Sequence, residues 1–224
     1  MPNPPELTLS PALLTKLRGL CGEPHRHYHS LAHIEALQGW FARYRALAEA
    51  PALIDAAIWF HDAVYDTRRQ DNEQRSALMA HDELSALHWP EAAVQRVASL
   101  VLATRHHQAD LMDTDAWLFL DLDLSVLGQS AARYAAYATA VRAEYAWVET
   151  AAYRAGRARV LQGFLERERI YRTPALHDAW EARARHNLER ELAALMPAPQ
   201  GSPGSPGKPG GCGGLGGRGR PDGP

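Results

Sequence analysis

Through the first 196 residues, apolar positions recur at the three-and-four spacing of amphipathic helices. No alternating β-branched run between turn signals suggests a strand, and frequent Ala, Leu, Arg and Glu add helix propensity. The fold class this predicts is all-α. Ser10-Pro11 supplies a cap and a first-turn proline, so a first helix runs from there to about Leu20. A second is expected from Tyr28 to about Glu49, closed by Pro51, and a third from Ala52 to Tyr65. Asp71-Asn72-Glu73 opens a fourth, which ends before Trp89-Pro90, and Val94, Val97, Ala98, Val101 and Leu102 form the apolar stripe of a fifth. Further helices are expected over about 114–127, 130–154, 156–169 and 174–196.

Composition changes this picture only at the C-terminal end. Residues 197–224 contain 11 Gly and 7 Pro, with Leu215 the sole large aliphatic, too little to offset the entropy of ordering. The expectation is one helical domain over 1–196 and a disordered Gly/Pro-rich tail over 197–224. A net charge of −2 gives no electrostatic reason to expect nucleic acid or an anionic membrane as partner. No apolar run approaches the roughly 20 residues of a membrane span, and no basic segment leads into an apolar leader. Two cysteines, one of them in the tail, suit a reducing compartment, so the expected setting is cytoplasmic.

Candidate chemistry is concentrated in a few polar residues set within apolar sequence. The dipeptide His-Asp occurs three times, and its surroundings separate the copies. His81-Asp82 lies among polar residues, and His177-Asp178 falls in the first turn of a helix opened by Thr173-Pro174, where an acid favours the dipole. His61-Asp62 instead ends the apolar run Leu53 to Phe60, where a buried imidazole and carboxylate are costly without a partner such as a metal ion. Asp66, four residues after Asp62, is expected on the same helix face. His29 and His33 have ligand spacing on the second helix, His106 and His107 end the fifth, and Asp121 and Asp123 interrupt the core run Leu118 to Leu124.

Histidine, then His-Asp, then further histidine, then aspartate, each on its own helix, resembles the ordering in the HD-domain superfamily of metal-dependent phosphohydrolases. The chain is more specifically similar to a group of small predicted HD phosphohydrolases found mainly in bacteria. The similarity is carried by Tyr28-His29 with His33-Ile34, by Ala57 to Asp66, by Asp71-Asn72-Glu73 before Ser76-Ala77, by Phe119-Leu120-Asp121 with Asp123-Leu124-Ser125, and by Arg142 with Glu144-Tyr145. It extends over about residues 10–195, and its specificity is highest around His61.

The resemblance implies a single HD-domain helical bundle in which His33, His61, Asp62 and Asp123 hold one divalent ion, with Asp121 the rival for the last position. A second ion would need Glu73, His106 or His107, because the usual histidine near Asn72 is absent, as is a lysine soon after the His-Asp pair. Mixed imidazole and carboxylate ligation favours Mn, Fe, Ni, Co or Zn over Mg. The implied activity is hydrolysis of a phosphomonoester, phosphodiester or nucleotide phosphate by water activated on the ion. The expected partner is therefore a phosphorylated small molecule. His29 and Asp66 are the candidates for moving protons, and Arg26, Arg68, Arg69 and Arg105, neighbours of the ligands in sequence, for binding phosphate. A di-iron oxygenase and a non-catalytic nucleotide-binding protein are the alternatives the same residues allow. Truncation after Met196 is expected to leave melting temperature and metal content unchanged; a drop of several degrees in a thermal melt would show that the tail packs on the body.

Overall fold

Side chains just ahead of the first turn fix where several helices begin. Ser10 Oγ accepts the Leu13 N–H at 3.2 Å, and the Asp113 carboxylate accepts that of Ala116 at 3.0 Å. Ser130 and Glu149 similarly cap the helices that follow them. The computed structural model describes residues 7–195. Among these the chain is all-α, with nine α-helices and no strand: α1 Pro11–Cys21, α2 Leu31–Tyr44, α3 Pro51–Phe60, α4 Asn72–Ala86, α5 Glu91–Ala103, α6 Thr114–Asp123, α7 Ala131–Glu144, α8 Thr150–Leu165 and α9 Pro174–Leu195. Short 3-10 turns cover Arg45–Leu47 and Leu124–Gly128. The tail expected over 197–224 lies outside the described residues. No helix among the described residues is long and apolar enough to cross a membrane.

The most apolar helix is placed at the centre. Ile54 and Ala56 through Phe60 are all buried, leaving only the first turn and Asp55 partly at solvent, and α3 packs against α1, α2, α4, α5 and α6. The carboxylate of Asp115, in the first turn of α6, accepts the Glu49 and Ala50 N–H groups at 2.8 Å each, tying the entry of α3 to α6. The two helices whose C-terminal ends carry candidate ligands are thereby linked at their N-terminal ends as well. The 3-10 turn that leaves α6 is fixed against α9: Asn187 Nδ2 donates to the Leu127 and Gln129 carbonyls, and the buried Tyr171 hydroxyl donates to Leu124 O at 2.9 Å.

Some expected boundaries are corrected. The second helix starts at Leu31, so His29 precedes it in a loop and does not share a helix face with His33. The third ends at Phe60, with His61 as its C-cap and Asp62 in the following turn, so the shared face proposed for Asp62 and Asp66 does not exist. The helix expected over 130–154 is two, α7 and α8. Arg142 explains the break: its guanidinium donates to the Tyr145 and Val148 carbonyls, satisfying groups that a continuous helix would have paired with amides.

Gly128 marks the tightest approach between the turn and α9. A Cβ built there would stand 2.4 Å from Trp180 Cβ. Gly128→Ala is expected to cost about 1–3 kcal/mol, several degrees of melting temperature, by overpacking this contact. A thermal melt equal to wild type would show that the turn and α9 can separate freely.

Candidate metal centre

Two helix ends and one helix start converge on a single buried spot. His33 lies in the first turn of α2, His61 and Asp62 directly follow α3, and Asp123 is the last residue of α6. The His33 and His61 Nε2 atoms are 3.2 Å apart. Asp62 Oδ2 lies 3.1 Å from His61 Nε2 and 3.8 Å from His33 Nε2. Asp123 Oδ1 is 3.2 Å from His33 Nε2 and 3.5 Å from His61 Nε2. Ligand atoms sharing one ion at about 2.1 Å stand roughly 3.0–3.4 Å from one another in tetrahedral or octahedral arrangement, so this spacing suits a metal. His33, His61 and Asp62 form the tightest set, their donor atoms all within 4.8 Å of one another, and Asp123 joins through the two imidazoles.

Two further observations test the fit. His61 Nδ1 donates to Ile58 O at 2.9 Å, which fixes the tautomer and leaves the Nε2 lone pair directed at the cluster, the usual support for a metal-binding imidazole. Asp62 Oδ2 is a buried oxygen with no hydrogen-bond partner. A carboxylate oxygen withdrawn from water needs a donor or a cation, and the surrounding groups supply the place for a cation. The residues therefore fit a divalent ion.

Charge in the cluster is unbalanced without one. Burial alone would raise the Asp62 and Asp123 pKa values, but the surrounding imidazoles outweigh it, His61 first, and hold both far below the usual carboxylate range. Burial would also depress the His61 pKa, yet the Asp62 and Asp123 charges drive it well above its ordinary value. A proton on His61 is thus the electrostatic substitute for a cation, and metal binding must displace it. His107 Nε2 meets Asp123 Oδ2 at 3.0 Å and orients that carboxylate from the other oxygen.

Beside the cluster stands a histidine held by a buried glutamate. Glu144 Oε1 accepts the backbone N–H groups of His27, Tyr28 and His29, and its Oε2 meets His29 Nδ1 at 2.7 Å and the Tyr65 hydroxyl at 2.8 Å. Burial works to raise the Glu144 pKa, but these partners, the His29 side chain foremost, bring it to about 2. Burial pulls the His29 pKa down, and the Asp62 charge together with the Glu144 hydrogen bond more than compensates, leaving it raised. His29 and Tyr65 stack with centroids 4.2 Å apart, so the imidazole is fixed in plane as well as in direction.

The remaining expected residues divide sharply. Asp121 does not reach the cluster: its Oδ2 accepts the Thr173 N–H at 2.6 Å, and burial raises its pKa to about 6. Two residues earlier on α6 it faces α9, whereas Asp123 faces the imidazoles. Asp66 turns away too, its Oδ1 accepting the Arg68 N–H within its own loop, and it does not line the cavity over the cluster. Arg26 is corrected from a phosphate-binding candidate to a structural residue, because its buried guanidinium donates to the Asp62, Ala63 and His29 carbonyls and to Glu23. Arg68 covers the Trp147 ring at 4.5 Å and stays outside the cavity, while Arg69 lines it but is held by Asp71 through two hydrogen bonds. Arg105 lines it without an ion pair among the described residues. Glu73 and His106 line the same cavity without joining a set of converging donors, so the second-ion group is not assembled around His107.

Glu144 is the residue to which sequence reasoning gave no role. Its position in the Arg142, Glu144, Tyr145 stretch was the one available signal, and nothing in that stretch shows that the carboxylate reaches back more than 100 residues to His29. No family model, curated protein or solved structure matches this chain. Elemental analysis and metal titration of two variants would separate the acids of α6. Asp123→Asn is expected to weaken metal binding more than about tenfold, the low end even for residues that only orient ligands, whereas Asp121→Asn should retain the ion. The reverse order would make Asp121 the ligand.

Proposed function

We propose that this chain is a metal-dependent phosphohydrolase of the HD-domain type, acting on a phosphorylated small molecule in a cytoplasmic setting. The observation that carries the reading is the convergence of His33, His61, Asp62 and Asp123 around an oxygen, Asp62 Oδ2, that has no other partner. Mixed nitrogen and oxygen donors favour Mn, Fe, Ni, Co or Zn over Mg. When bound, such an ion supplies Lewis acidity toward a phosphoryl oxygen and lowers the pKa of water.

The residues of the chain supply the rest. The four ligands hold the reaction centre at the floor of a cavity, where His61 is almost fully buried and Asp62 is only partly reached by solvent. His29 lines the same cavity, and because its Nδ1 is committed to Glu144, proton exchange with substrate falls to Nε2. The Glu144 hydrogen bond favours the charged imidazolium, an acid that can protonate a departing alkoxide. Glu144 orients this ring and stabilises its charged form. Arg105 lies where it can neutralise phosphoryl oxygens.

A panel of phosphomonoesters, diesters and nucleotides, assayed with Mn, Co, Ni and Mg in turn, tests this reading. Hydrolysis should depend on the ion, and Asp62→Ala should remove both metal and activity. Asp178→Ala, at the exposed third copy of the dipeptide, should keep both while losing at most about 0.3–1 kcal/mol of helix-dipole interaction. Full activity in Asp62→Ala would eliminate the metal-hydrolase reading.

A further inference from the structure

The cavity over the cluster measures about 1110 Å³, a volume that accommodates a whole small-molecule ligand and far exceeds what one phosphoryl group fills. One face of α8 forms its far wall. Tyr153, Gly156, Val160, Gly163 and Phe164 line the cavity at helical spacing, along about 16 Å of helix. Phe164 stands against His107, ring centroids 6.0 Å apart, and His107 bonds Asp123, so this end of α8 abuts the cluster. The cavity then continues along α8 toward its N-terminus.

Three features mark that wall. Gly156 and Gly163 sit two turns apart inside a 16-residue helix, where glycine is the poorest helix former after proline. Helical glycines commonly admit a close neighbour, but a Cβ added at either position would meet no atom within 4 Å. Val160, between them, is 50% exposed although it is a large apolar side chain. Arg159 lines the cavity with no ion pair among the described residues, in contrast to Arg157, whose guanidinium is held by Glu191 at 2.8 Å and covers Tyr137.

We propose that this face of α8 is a subsite for the alcohol portion of an elongated phosphate ester, apolar where it crosses Gly163 and Val160, and ending beside Gly156 in a second anionic group that pairs with Arg159. The inference rests on the phosphohydrolase reading for the position of the ester phosphate. Glycines at 156 and 163 let the substrate chain lie against the helix backbone, and Arg159 reads the far end as a carboxylate or a phosphate.

Calorimetric titration of the full chain in Mn-containing buffer tests this with three probes: hexyl phosphate, hexanediol bisphosphate and phosphooxyhexanoate. Wild type should bind one or both of the doubly anionic probes about tenfold more tightly than hexyl phosphate, the worth of one charge-assisted contact, and whichever gains identifies the distal group. Arg159→Ala should erase that advantage. Gly163→Leu, which replaces a poor helix former with a good one, should weaken binding of all three probes with no loss of melting temperature. Equal affinity of wild type for the three probes, wild-type affinity in either variant, or a sharp fall in melting temperature of Gly163→Leu would overturn the subsite. Hydrolysis followed in the same samples speaks to the parent reading alone: Arg159-dependent binding without turnover leaves the subsite standing and removes the phosphohydrolase assignment.

Discussion

Two carboxylates and two imidazoles brought together away from water impose the condition that the rest of this fold must meet. Each acid costs several kcal/mol to bury alone, and the His61 ring faces the others with its second nitrogen held by the Ile58 carbonyl. The chain meets the condition with main-chain geometry. α3 is apolar except for Asp55 and is packed by five helices, which delivers His61 and Asp62 to the centre just where the helix ends. Ending the helix there frees the pair from a helix face and lets both side chains turn toward the same point. α6 reaches that point from another direction, held at its start by Asp115 and at its exit by the turn packed on Trp180 and Asn187.

The elements most visible in the sequence were those whose patterning and punctuation agreed. The Ser10-Pro11 start, the apolar run of α3, and the Thr173-Pro174 opening of the long last helix all appear where the residues indicate. What could not be seen were features decided by contacts across the chain. α7 and α8 divide without Gly or Pro because Arg142 satisfies the carbonyls of the intervening turn. Arg26 has the composition of a phosphate ligand and the environment of a core residue, with its side chain 1% exposed.

The choice between Asp121 and Asp123 shows the same limit at finer scale. Both interrupt one apolar run, Asp121 ends up buried and Asp123 half-buried at the cavity, and spacing along a helix says only that they diverge. What separates them is what each meets: a backbone amide of Thr173 in one case, two imidazoles in the other. Their pKa values shift in opposite directions, since burial dominates for Asp121 while cationic neighbours dominate for Asp123. The pattern of histidines and aspartates defined the neighbourhood of the site, and the fold decided which acid entered it.

Arg26 has one effect that reaches beyond holding the loop. Its guanidinium occupies the main-chain carbonyls of Asp62 and Ala63, the peptide oxygens nearest the His-Asp pair. Oxygens engaged in this way are withdrawn from coordination, so an ion at this centre would draw its protein donors from side chains. His61, Asp62 and Asp123, three of the side chains that would hold it, line the cavity, so such an ion would stand next to the molecules that enter there. A buried positive charge that never touches the ion would in this way keep the centre open to exchange with the molecules it meets.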